Sequence, residues 1–370
     1  MSVPDSKIRV LVVDDSVVMR RLLSQAIAGD PGLEVAGFAA NGRIALGLAN
    51  QIAPDIVTLD VEMPVMNGLE TLQAMRQAGH KFPIIMFSTL TERGAEATID
   101  ALAWGASDYV AKPAGMANCN AARERIQEAL LPKIKALCHR RSAASGRAPA
   151  ISLPPKPASP RRMPEPVAVV AIGCSTGGPN ALAQILPNFP HDFPVPVLIV
   201  QHMPPAFTRF LAQRLTSLCQ LPVEEAEEGT PLSAGKIVVA PGGYHLVADG
   251  REPQTKLHIT QDAPENSCRP SVDVLFRSVA RTFPNQVLAA VLTGMGQDGL
   301  RGCEQLAREG AEIVAQDEAT SVVWGMPGFI AKAELADAVL PILDIGPHIV
   351  RRVMARRLSQ ISLSRLAVAR

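Results

Sequence analysis

Two stretches of this chain alternate regularly between strand-like and helix-like segments, and this repetition constrains the fold more than any other feature. In residues 7–113, helical spacing separates the apolar runs KIRVLVV, LEVAGFA, DIVTLD, FPIIMFS and SDYVAK. From Val167 onward the alternation restarts with VAVVAIG, PVLIV, KIVVA, VLAAVLTG and AEIVAQ. Strands and helices in series predict parallel sheets with helices on both faces. The sequence therefore predicts two doubly wound α/β domains.

The region between these stretches has a different composition. Residues 139–166 are rich in Pro, Ser, Ala and Arg and lack apolar periodicity, which predicts a semi-extended linker. We expect a first domain over residues 1–138 and a second over residues 167–346, with a hairpin in the second at GGYHLVADGREPQTKLHITQD. Residues 347–370 form a basic C-terminal extension, interpreted as a solvated or frayed helix.

Composition argues against several classes of protein. The net charge of +1 and the aromatic content of 4% give no reason to expect a nucleic-acid partner. The chain has no apolar run of about 18 residues, so membrane insertion is not expected. The first residues, MSVPDSKIRVLVVDD, lack the form of a signal peptide, and we expect a cytoplasmic protein. Six scattered cysteines without a C-x-x-C pair predict reduced thiols, with no disulfide framework or zinc site.

Polar residues stand at the ends of several strands in the first domain. Asp14 and Asp15 follow the first strand, Asp60 ends DIVTLD, Ser88 ends PIIMFS, and Lys112 follows the last strand. These strand ends gather at one edge of a doubly wound sheet. Clustered carboxylates repel one another, and Mg²⁺ relieves that repulsion with oxygen ligands. The pattern predicts an aspartate that attacks a phosphoryl donor, while Lys112 and Ser88 bind the phosphate.

The segments VLVVDDS, DIVTLDVEMPVMNGLE, PIIMFSTLT and DYVAKP resemble the response-regulator receiver domain, over residues 7–135. The resemblance implies a flavodoxin-like fold in which a histidine kinase phosphorylates Asp60. It also implies a magnesium site and a conformational switch around that aspartate. The implied magnesium ligands are Asp14, Asp15, Asp60 and the backbone carbonyl of Glu62. The implied switch and phosphate-binding residues are Ser88, Tyr109 and Lys112.

In the second domain, a small-residue turn follows the first strand. Residues 173–179 read GCSTGGP and precede a helical segment. A nucleotide-binding loop would need G-x-G-x-x-G or G-x-x-x-x-G-K-[ST], and neither pattern is present. The match to G-x-S-x-G instead predicts that Ser175 presents its hydroxyl at the sheet edge, beside N–H groups that can bind an oxyanion.

A nucleophilic serine needs a base and a carboxylate that orients the base. His202 follows the strand PVLIV directly, at the same sheet edge as Ser175, whereas His245 follows a turn and is the weaker candidate. The carboxylates at strand ends are Asp262, Asp298 and Asp317. The glycine-rich loop around Asp298 favours that residue, because glycines let the backbone approach a substrate. The order Ser, His, Asp differs from that of α/β-hydrolases and predicts a different sheet topology.

The segments GCSTGGP, QHMPPAFTRFLAQRL, VVAPGGYHL, RPSVDVLFRSVA and LTGMGQDG resemble the catalytic domain of the CheB family, the chemotaxis protein-glutamate methylesterases. The order of receiver, linker and esterase is similar to that family too. The resemblance implies that Ser175 is the nucleophile, His202 the general base and Asp298 the orienting carboxylate. It further implies that Thr176 lies beside the nucleophile and that the Met295 N–H contributes to the oxyanion hole.

The resemblance also implies a function. The chain would be a phosphorylation-activated esterase that demethylates and deamidates methyl-accepting chemotaxis receptors, with a chemotaxis histidine kinase as phosphodonor and no cofactor in the esterase site. The unphosphorylated receiver would block Ser175. Cys174, at a position where the family often has a smaller residue, is interpreted as a packing variation. The alternative is a receiver-linked adaptor without catalysis, which the intact set of three catalytic residue types disfavours.

Overall fold

The computed structural model describes residues 7–113, 119–144, 166–250 and 254–368. The chain forms two compact units, over residues 1–152 and 153–370. Both are built on parallel sheets with helices packed against them. The predicted α/β fold class, with a doubly wound sheet in each domain, is therefore confirmed.

The first unit contains a five-stranded parallel sheet in the order β2-β1-β3-β4-β5, the flavodoxin-like arrangement. Its elements are β1 Ile8–Val13, α1 Val17–Ala28, β2 Leu33–Ala39, α2 Gly42–Ile52, β3 Ile56–Asp60, α3 Gly68–Gln77, β4 Ile84–Ser88, α4 Glu92–Ala103, β5 Asp108–Ala111 and α5 Cys119–Ala144. Helices cover both faces of the sheet, so its central strands are continuous apolar runs rather than alternating ones. The strand order changes direction at β1, which brings the carboxyl ends of β1 and β3 side by side.

The second unit contains a seven-stranded parallel sheet in the order β14-β13-β12-β6-β7-β9-β8 and the predicted antiparallel hairpin, β10 and β11. Its elements are β6 Val169–Cys174, α6 Gly178–Ile185, a 3₁₀ helix Leu186–Asn188, β7 Val197–Gln201, α7 Phe207–Thr216, β8 Val223–Glu225, β9 Ile237–Val239, β10 His245–Asp249, β11 Lys256–Thr260, α8 Val272–Thr282, β12 Val287–Val291, α9 Leu300–Arg308, β13 Glu312–Gln316, α10 Met326–Lys332, β14 Ala338–Leu340 and α11 Ile342–Val368. Strands β6 and β12 are neighbours although they are far apart in sequence. From β6 the chain proceeds to β7 on one side and later returns to β12 on the other. Ligands of doubly wound sheets bind at such switch points.

Two predicted domain boundaries fall inside helices. Helix α5 continues through Ala144, so the first residues of the predicted linker are helical. The remainder of that linker, residues 145–165, lies outside the described residues. Helix α11 runs without interruption across the predicted boundary at residue 347. Among the described residues, no helix combines the length and the apolar character that a membrane crossing requires.

The start of the basic C-terminal extension packs against the second unit. Ile349 and Val353 are buried, and the Glu312 carboxylate on β13 accepts hydrogen bonds from His348 and Arg352 of α11. Burial opposes ionisation of Glu312, but these two partners outweigh burial and lower the pKa of its carboxyl group. The interpretation of a solvated or frayed helix is therefore wrong as far as Val353, because residues spaced four apart form one anchored helix face.

This packing predicts unequal effects of two alanine substitutions on α11. Ile349→Ala should lower the free energy of unfolding of the second unit by about 2–5 kcal/mol, because the side chain is fully buried. Leu343→Ala is the control, since Leu343 is 69% exposed and should change stability by no more than about 0.5 kcal/mol. Urea unfolding is followed by Trp324 fluorescence in a Trp104→Phe background. Equal midpoints for the two variants would contradict the packing.

Candidate active site

Ser175 and His202 leave neighbouring strands at the same level of the second sheet. Cys174 at the end of β6 pairs in register with Gln201 at the end of β7. The His202 N–H donates to the Cys174 carbonyl oxygen at 3.1 Å. The two candidate catalytic residues are therefore adjacent across the strand ends, as expected for side chains at one edge of a parallel sheet.

The backbone of Ser175 is fixed on both sides. Its N–H donates to the Thr293 carbonyl at 3.0 Å, and its own carbonyl accepts from Gly178 N–H at 2.8 Å and from the Gln201 side-chain amide at 2.9 Å. Gly177 adopts φ +78°, the left-handed region that favours glycine. The turn after β6 therefore holds Ser175 in one backbone position at the sheet edge.

Cys174 is a packing residue, as its interpretation predicted. Its side chain is fully buried, and its thiol donates to Oε1 of Gln201 at 3.1 Å. Burial raises the pKa of this thiol far above its ordinary value, so Cys174 is not a thiolate at neutral pH. The same Gln201 amide also bonds the Ser175 carbonyl, which links the packing under the turn to the position of the serine.

Asp298 is a buried carboxylate surrounded by donors. Its Oδ2 lies 2.8 Å from Nε2 of His202 and accepts from the Val272 N–H at 2.7 Å. The donors to Oδ1 are Asn266 Nδ2, Ser271 Oγ, Asp273 N–H and Gly299 N–H. Burial alone would raise the pKa of Asp298, but these hydrogen bonds and His202 outweigh it and lower the pKa to about 2. Asp298 is therefore ionised across the physiological range.

The other candidates for base and orienting carboxylate are engaged elsewhere. His245 is buried, and its ring contacts the Ser271 N–H and the Ala263 carbonyl oxygen, both at 3.2 Å. Asp262 accepts from Thr260, and Asp317 accepts from Thr320. Of the three carboxylates left open by the sequence, the structure brings Asp298 against His202.

The tautomer of His202 follows from its partners. An ionised carboxylate can only accept, so the ring proton lies on Nε2, which donates to Asp298. In the neutral ring Nδ1 then carries the lone pair, and this atom lies 3.5 Å from the Cys268 thiol. Burial opposes protonation of the ring, but Asp298 and Cys268 outweigh burial and raise the pKa of His202 to about 9.

The serine hydroxyl does not yet contact the base. In the part of the chain that the structure describes, no hydrogen bond joins Ser175 Oγ to the His202 ring. The structure thus joins His202 directly to Asp298 and places Ser175 at the adjoining strand end. Catalytic hydrogen bonds often tighten only when substrate is bound.

Two N–H groups beside Ser175 are available to a ligand. Within the described ranges, the N–H groups of Thr176 and Met295 donate to no protein acceptor. The backbone before Met295 passes very close to the serine, because a Cβ atom on Gly294 would lie 2.9 Å from the Ser175 Cβ. An unpaired N–H after the nucleophile and a second from a neighbouring loop can form an oxyanion hole.

The predicted carboxylate cluster of the first unit is assembled at the ends of β1 and β3. Lys112 Nζ lies 2.9 Å from Asp14 Oδ2 and 2.7 Å from Asp60 Oδ2. Burial and the charge of Asp14 raise the pKa of Asp60 to about 6, although Lys112 opposes the rise. Carboxylate oxygens of Asp14, Asp15 and Asp60 lie within 4.8 Å of one another, a donor set that fits a hard divalent cation. The Glu62 carbonyl remains a predicted ligand.

Of the predicted switch residues, Ser88 ends β4 and Tyr109 is the second residue of β5. Ser88 Oγ donates to the Gly94 carbonyl at 3.0 Å and is fully buried. The Tyr109 ring is also buried, with Lys133 Nζ 5.3 Å from its centroid. Burial raises the pKa of the Tyr109 hydroxyl well above 10.

The loop before α8 supplies functional contacts that sequence reasoning missed. Asn266 and Ser267 both have positive φ, 53° and 61°, which is uncommon outside glycine. This path brings Asn266 to Asp298 and Cys268 to His202. The signal present in the sequence was Ser271 directly before a helical run, a helix-capping pattern. Cys268 carried no signal, because its role depends on where the loop folds.

Comparisons with known proteins agree with this division into two parts. The family described as CheB methylesterase matches residues 170–349. The family described as response regulator receiver domain matches residues 10–123.

Relatives match over nearly the whole chain. A protein-glutamate methylesterase/protein-glutamine glutaminase of Trichodesmium erythraeum is 47% identical over 94% of this chain and 99% of its own length. A protein of the same name from a Nocardioides species is 50% identical over 97% of this chain and 99% of its own length.

Solved structures match each part separately. The crystal structure of the Thermotoga maritima CheB methylesterase catalytic domain has 38% identity and a TM-score of 0.49, and covers 50% of this chain and 98% of that chain. The response regulator domain of Thermotoga maritima CheB has 43% identity and a TM-score of 0.32, and covers 35% of this chain and 94% of that chain.

The raised pKa of Asp60 predicts that Asp60→Asn stabilises the first unit. The folded protein holds the Asp60 proton more tightly than the unfolded chain, so the contribution of Asp60 to stability falls as the pH rises from about 4 to above 6. At about pH 8 the variant should be more stable by roughly 1–3 kcal/mol, and below about pH 4 the gain should vanish.

The measurement is denaturant unfolding, with a chelator present, followed by Trp104 fluorescence in a Trp324→Phe background. Glu96→Gln, an exposed carboxylate on α4, is the matched control and should show no pH-dependent gain. If Asp60→Asn gained the same stability at both pH values, the repulsion between buried Asp60 and Asp14 would be contradicted.

Proposed function

This chain belongs to the CheB family of protein-glutamate methylesterases with a receiver domain, and from that premise we propose which residues carry its chemistry. Ser175, His202 and Asp298 hydrolyse the ester, and Asp60 accepts the regulatory phosphate. The observation that carries the proposal is the 2.8 Å contact between His202 Nε2 and Asp298 Oδ2, at the sheet edge where Ser175 follows β6.

The contacts of His202 define which nitrogen acts as the base. Nε2 donates to Asp298, so Nδ1 must accept the proton of the Ser175 hydroxyl. Nδ1 now faces the Cys268 thiol, so the hydroxyl has to replace the thiol as its partner when substrate binds. Asp298 holds the ring in this tautomer and stabilises the imidazolium that forms.

The reaction then follows acyl transfer. Ser175 Oγ attacks the γ-carbonyl carbon of a glutamate methyl ester, and the oxyanion accepts hydrogen bonds from the N–H groups of Thr176 and Met295. The ester C–O bond breaks, and the imidazolium of His202 gives its proton to the departing methoxide, which leaves as methanol. Water hydrolyses the acyl-enzyme by the same base. With glutamine as the substrate, ammonia leaves instead.

The first unit supplies regulation. Asp14, Asp15, Asp60 and the Glu62 carbonyl would hold Mg²⁺, whose charge offsets that of an incoming phosphoryl group. Lys112, 2.7 Å from Asp60 Oδ2, can pair with a phosphoryl oxygen. Ser88 can do the same only after its hydroxyl leaves the Gly94 carbonyl, which couples phosphate binding to movement after β4.

The partners follow from the same proposal. Methyl-accepting chemotaxis receptors are the substrates, and a chemotaxis histidine kinase is the phosphodonor. Both receptor reactions leave a glutamate carboxylate in place of a neutral side chain, so each adds a negative charge to the receptor.

Ser175→Ala should abolish methanol release from methylated receptor membranes, with a loss of at least about 10³-fold, because removal of a triad nucleophile costs that much or more. Ser217→Ala is the control, since Ser217 is an exposed serine on the same unit.

A fluorophosphonate probe should label wild type and Ser217→Ala but not Ser175→Ala. Undiminished methanol release by Ser175→Ala would refute the assignment of Ser175 as the nucleophile. A wild-type protein that neither reacts with the probe nor releases methanol would favour an adaptor without catalysis.

A low-molecular-weight phosphodonor with Mg²⁺ should raise the methanol release of the full chain. Asp60→Asn should remove both this activation and the acid-labile phosphate, because the attacking carboxylate is gone. Asp100→Asn, a carboxylate on α4 away from the cluster, is the control and should respond as wild type does. Activation that persists in Asp60→Asn would count against Asp60.

A further inference from the structure

The His202–Asp298 pair contacts a second nucleophilic side chain. Cys268 Sγ lies 3.5 Å from Nδ1 of His202, while Nε2 of the same ring lies 2.8 Å from Asp298. The three groups therefore form a line of thiol, imidazole and carboxylate. Such a line is the arrangement that activates a cysteine nucleophile.

Cys268 lies in a partly exposed loop. It is half-buried, and the preceding residues Asn266 and Ser267 are exposed. The positive φ angles of Asn266 and Ser267, together with the bond from Asn266 to Asp298, fix the loop that carries the thiol. The loop therefore holds the thiol against Nδ1 of His202.

The proton on the thiol can move to the imidazole. In the neutral ring Nδ1 carries the lone pair, because Nε2 donates to Asp298. Proton transfer from Sγ to Nδ1 leaves a thiolate beside an imidazolium, and the ionised Asp298 stabilises that cation. Burial opposes protonation of His202, but Asp298 and Cys268 raise its pKa to about 9, a direction that favours the imidazolium side of this transfer.

We propose that Cys268 is a second nucleophile served by His202 and Asp298, and that it is a modification site for low-molecular-weight disulfides. Modification there blocks the esterase. This inference rests on the proposed role of His202 as the base for Ser175, since both nucleophiles use the same nitrogen.

The step is thiol–disulfide exchange. His202 Nδ1 takes the thiol proton, and the Cys268 thiolate attacks one sulfur of the reagent. A mixed disulfide forms as the S–S bond of the reagent breaks, and the departing thiolate takes the proton and leaves as a thiol. Cys268 is oxidised, and the leaving half of the reagent is reduced. The attached group lies against Nδ1 and excludes Ser175, and a thiol reductant reverses the modification.

Other cysteines provide the comparison. Cys174 and Cys303 are fully buried. Cys219 is half-buried like Cys268, but burial raises the pKa of its thiol to about 11. Cys219→Ser is therefore the matched control for Cys268→Ser.

The first measurement uses no esterase activity. The full chain is treated with dithiobis-nitrobenzoate at neutral pH, released aromatic thiolate is followed with time, and peptide mass spectrometry identifies the modified cysteine. Wild type and Cys219→Ser should show a fast phase that maps to Cys268 and is absent in Cys268→Ser. In His202→Gln, shown to be folded by its urea transition, that phase should be at least about tenfold slower, since the base is missing. Equal rates in wild type and His202→Gln would overturn the proposal.

The second measurement follows methanol release. Reagent should inactivate wild type and Cys219→Ser, with recovery on addition of a reductant, and should leave the rate of Cys268→Ser equal to its own untreated rate. Reagent inactivation of Cys268→Ser would overturn the proposal. A wrong assignment of Ser175 would appear separately, as methanol release by Ser175→Ala. The rate of Cys268 modification could still be measured in that case.

Discussion

The second unit depends on one buried carboxylate. Asp298 is 2% exposed, and burial of an isolated charge of this kind would be prohibitive. It is tolerated because donors from three segments meet it: the loop before α8, the first N–H groups of α8, and the ring of His202. The N-terminus of α8 also favours negative charge through its helix dipole. One interaction thus orients the base, caps a helix and fixes the loop that carries Cys268.

The two parallel sheets of this chain both place carboxylates at the carboxyl ends of their strands, but with opposite electrostatics. In the second unit, hydrogen bonds outweigh burial, and the pKa of Asp298 falls to about 2. In the first unit, burial and Asp14 outweigh Lys112, and the pKa of Asp60 rises to about 6. A stabilised carboxylate can hold a base in place through a reaction cycle. A carboxylate under repulsion favours binding of positive charge and gains from changing its own charge state, which suits a site of phosphorylation.

The amino-acid pattern is sufficient to predict what depends on strand ends. Asp60, Ser175 and His202 follow long apolar runs, so their placement at a sheet edge can be inferred from those runs alone. Asp298 is favoured by its glycine-rich loop, but composition alone leaves Asp262 and Asp317 open. The short strands Val223–Glu225 and Ala338–Leu340 are not recognisable in the sequence, since three residues carry no measurable periodicity.

What could not be predicted depends on contacts between distant segments. Cys268 and His202 are 66 residues apart, and their contact requires two consecutive left-handed residues that are neither glycine nor part of a recognised turn pattern. The packing of the C-terminal helix could not be predicted for a similar reason. Its basic residues indicate a solvent-exposed helix, whereas their partner carboxylate, Glu312, lies on a strand 36 residues before His348.

The contact between Cys268 and His202 also bears on how hydrolysis begins. Nδ1 is the one ring nitrogen left for proton transfer, and in the free protein it faces a thiol rather than the Ser175 hydroxyl. Any substrate that draws Ser175 toward the carbonyl carbon must therefore also displace the thiol from Nδ1. The unpaired N–H groups of Thr176 and Met295 can supply part of that free energy, because their hydrogen bonds strengthen as negative charge develops on the substrate oxygen. Under the proposed roles of Ser175 and His202, exchange of the partner of Nδ1 is thus coupled to formation of the transition state.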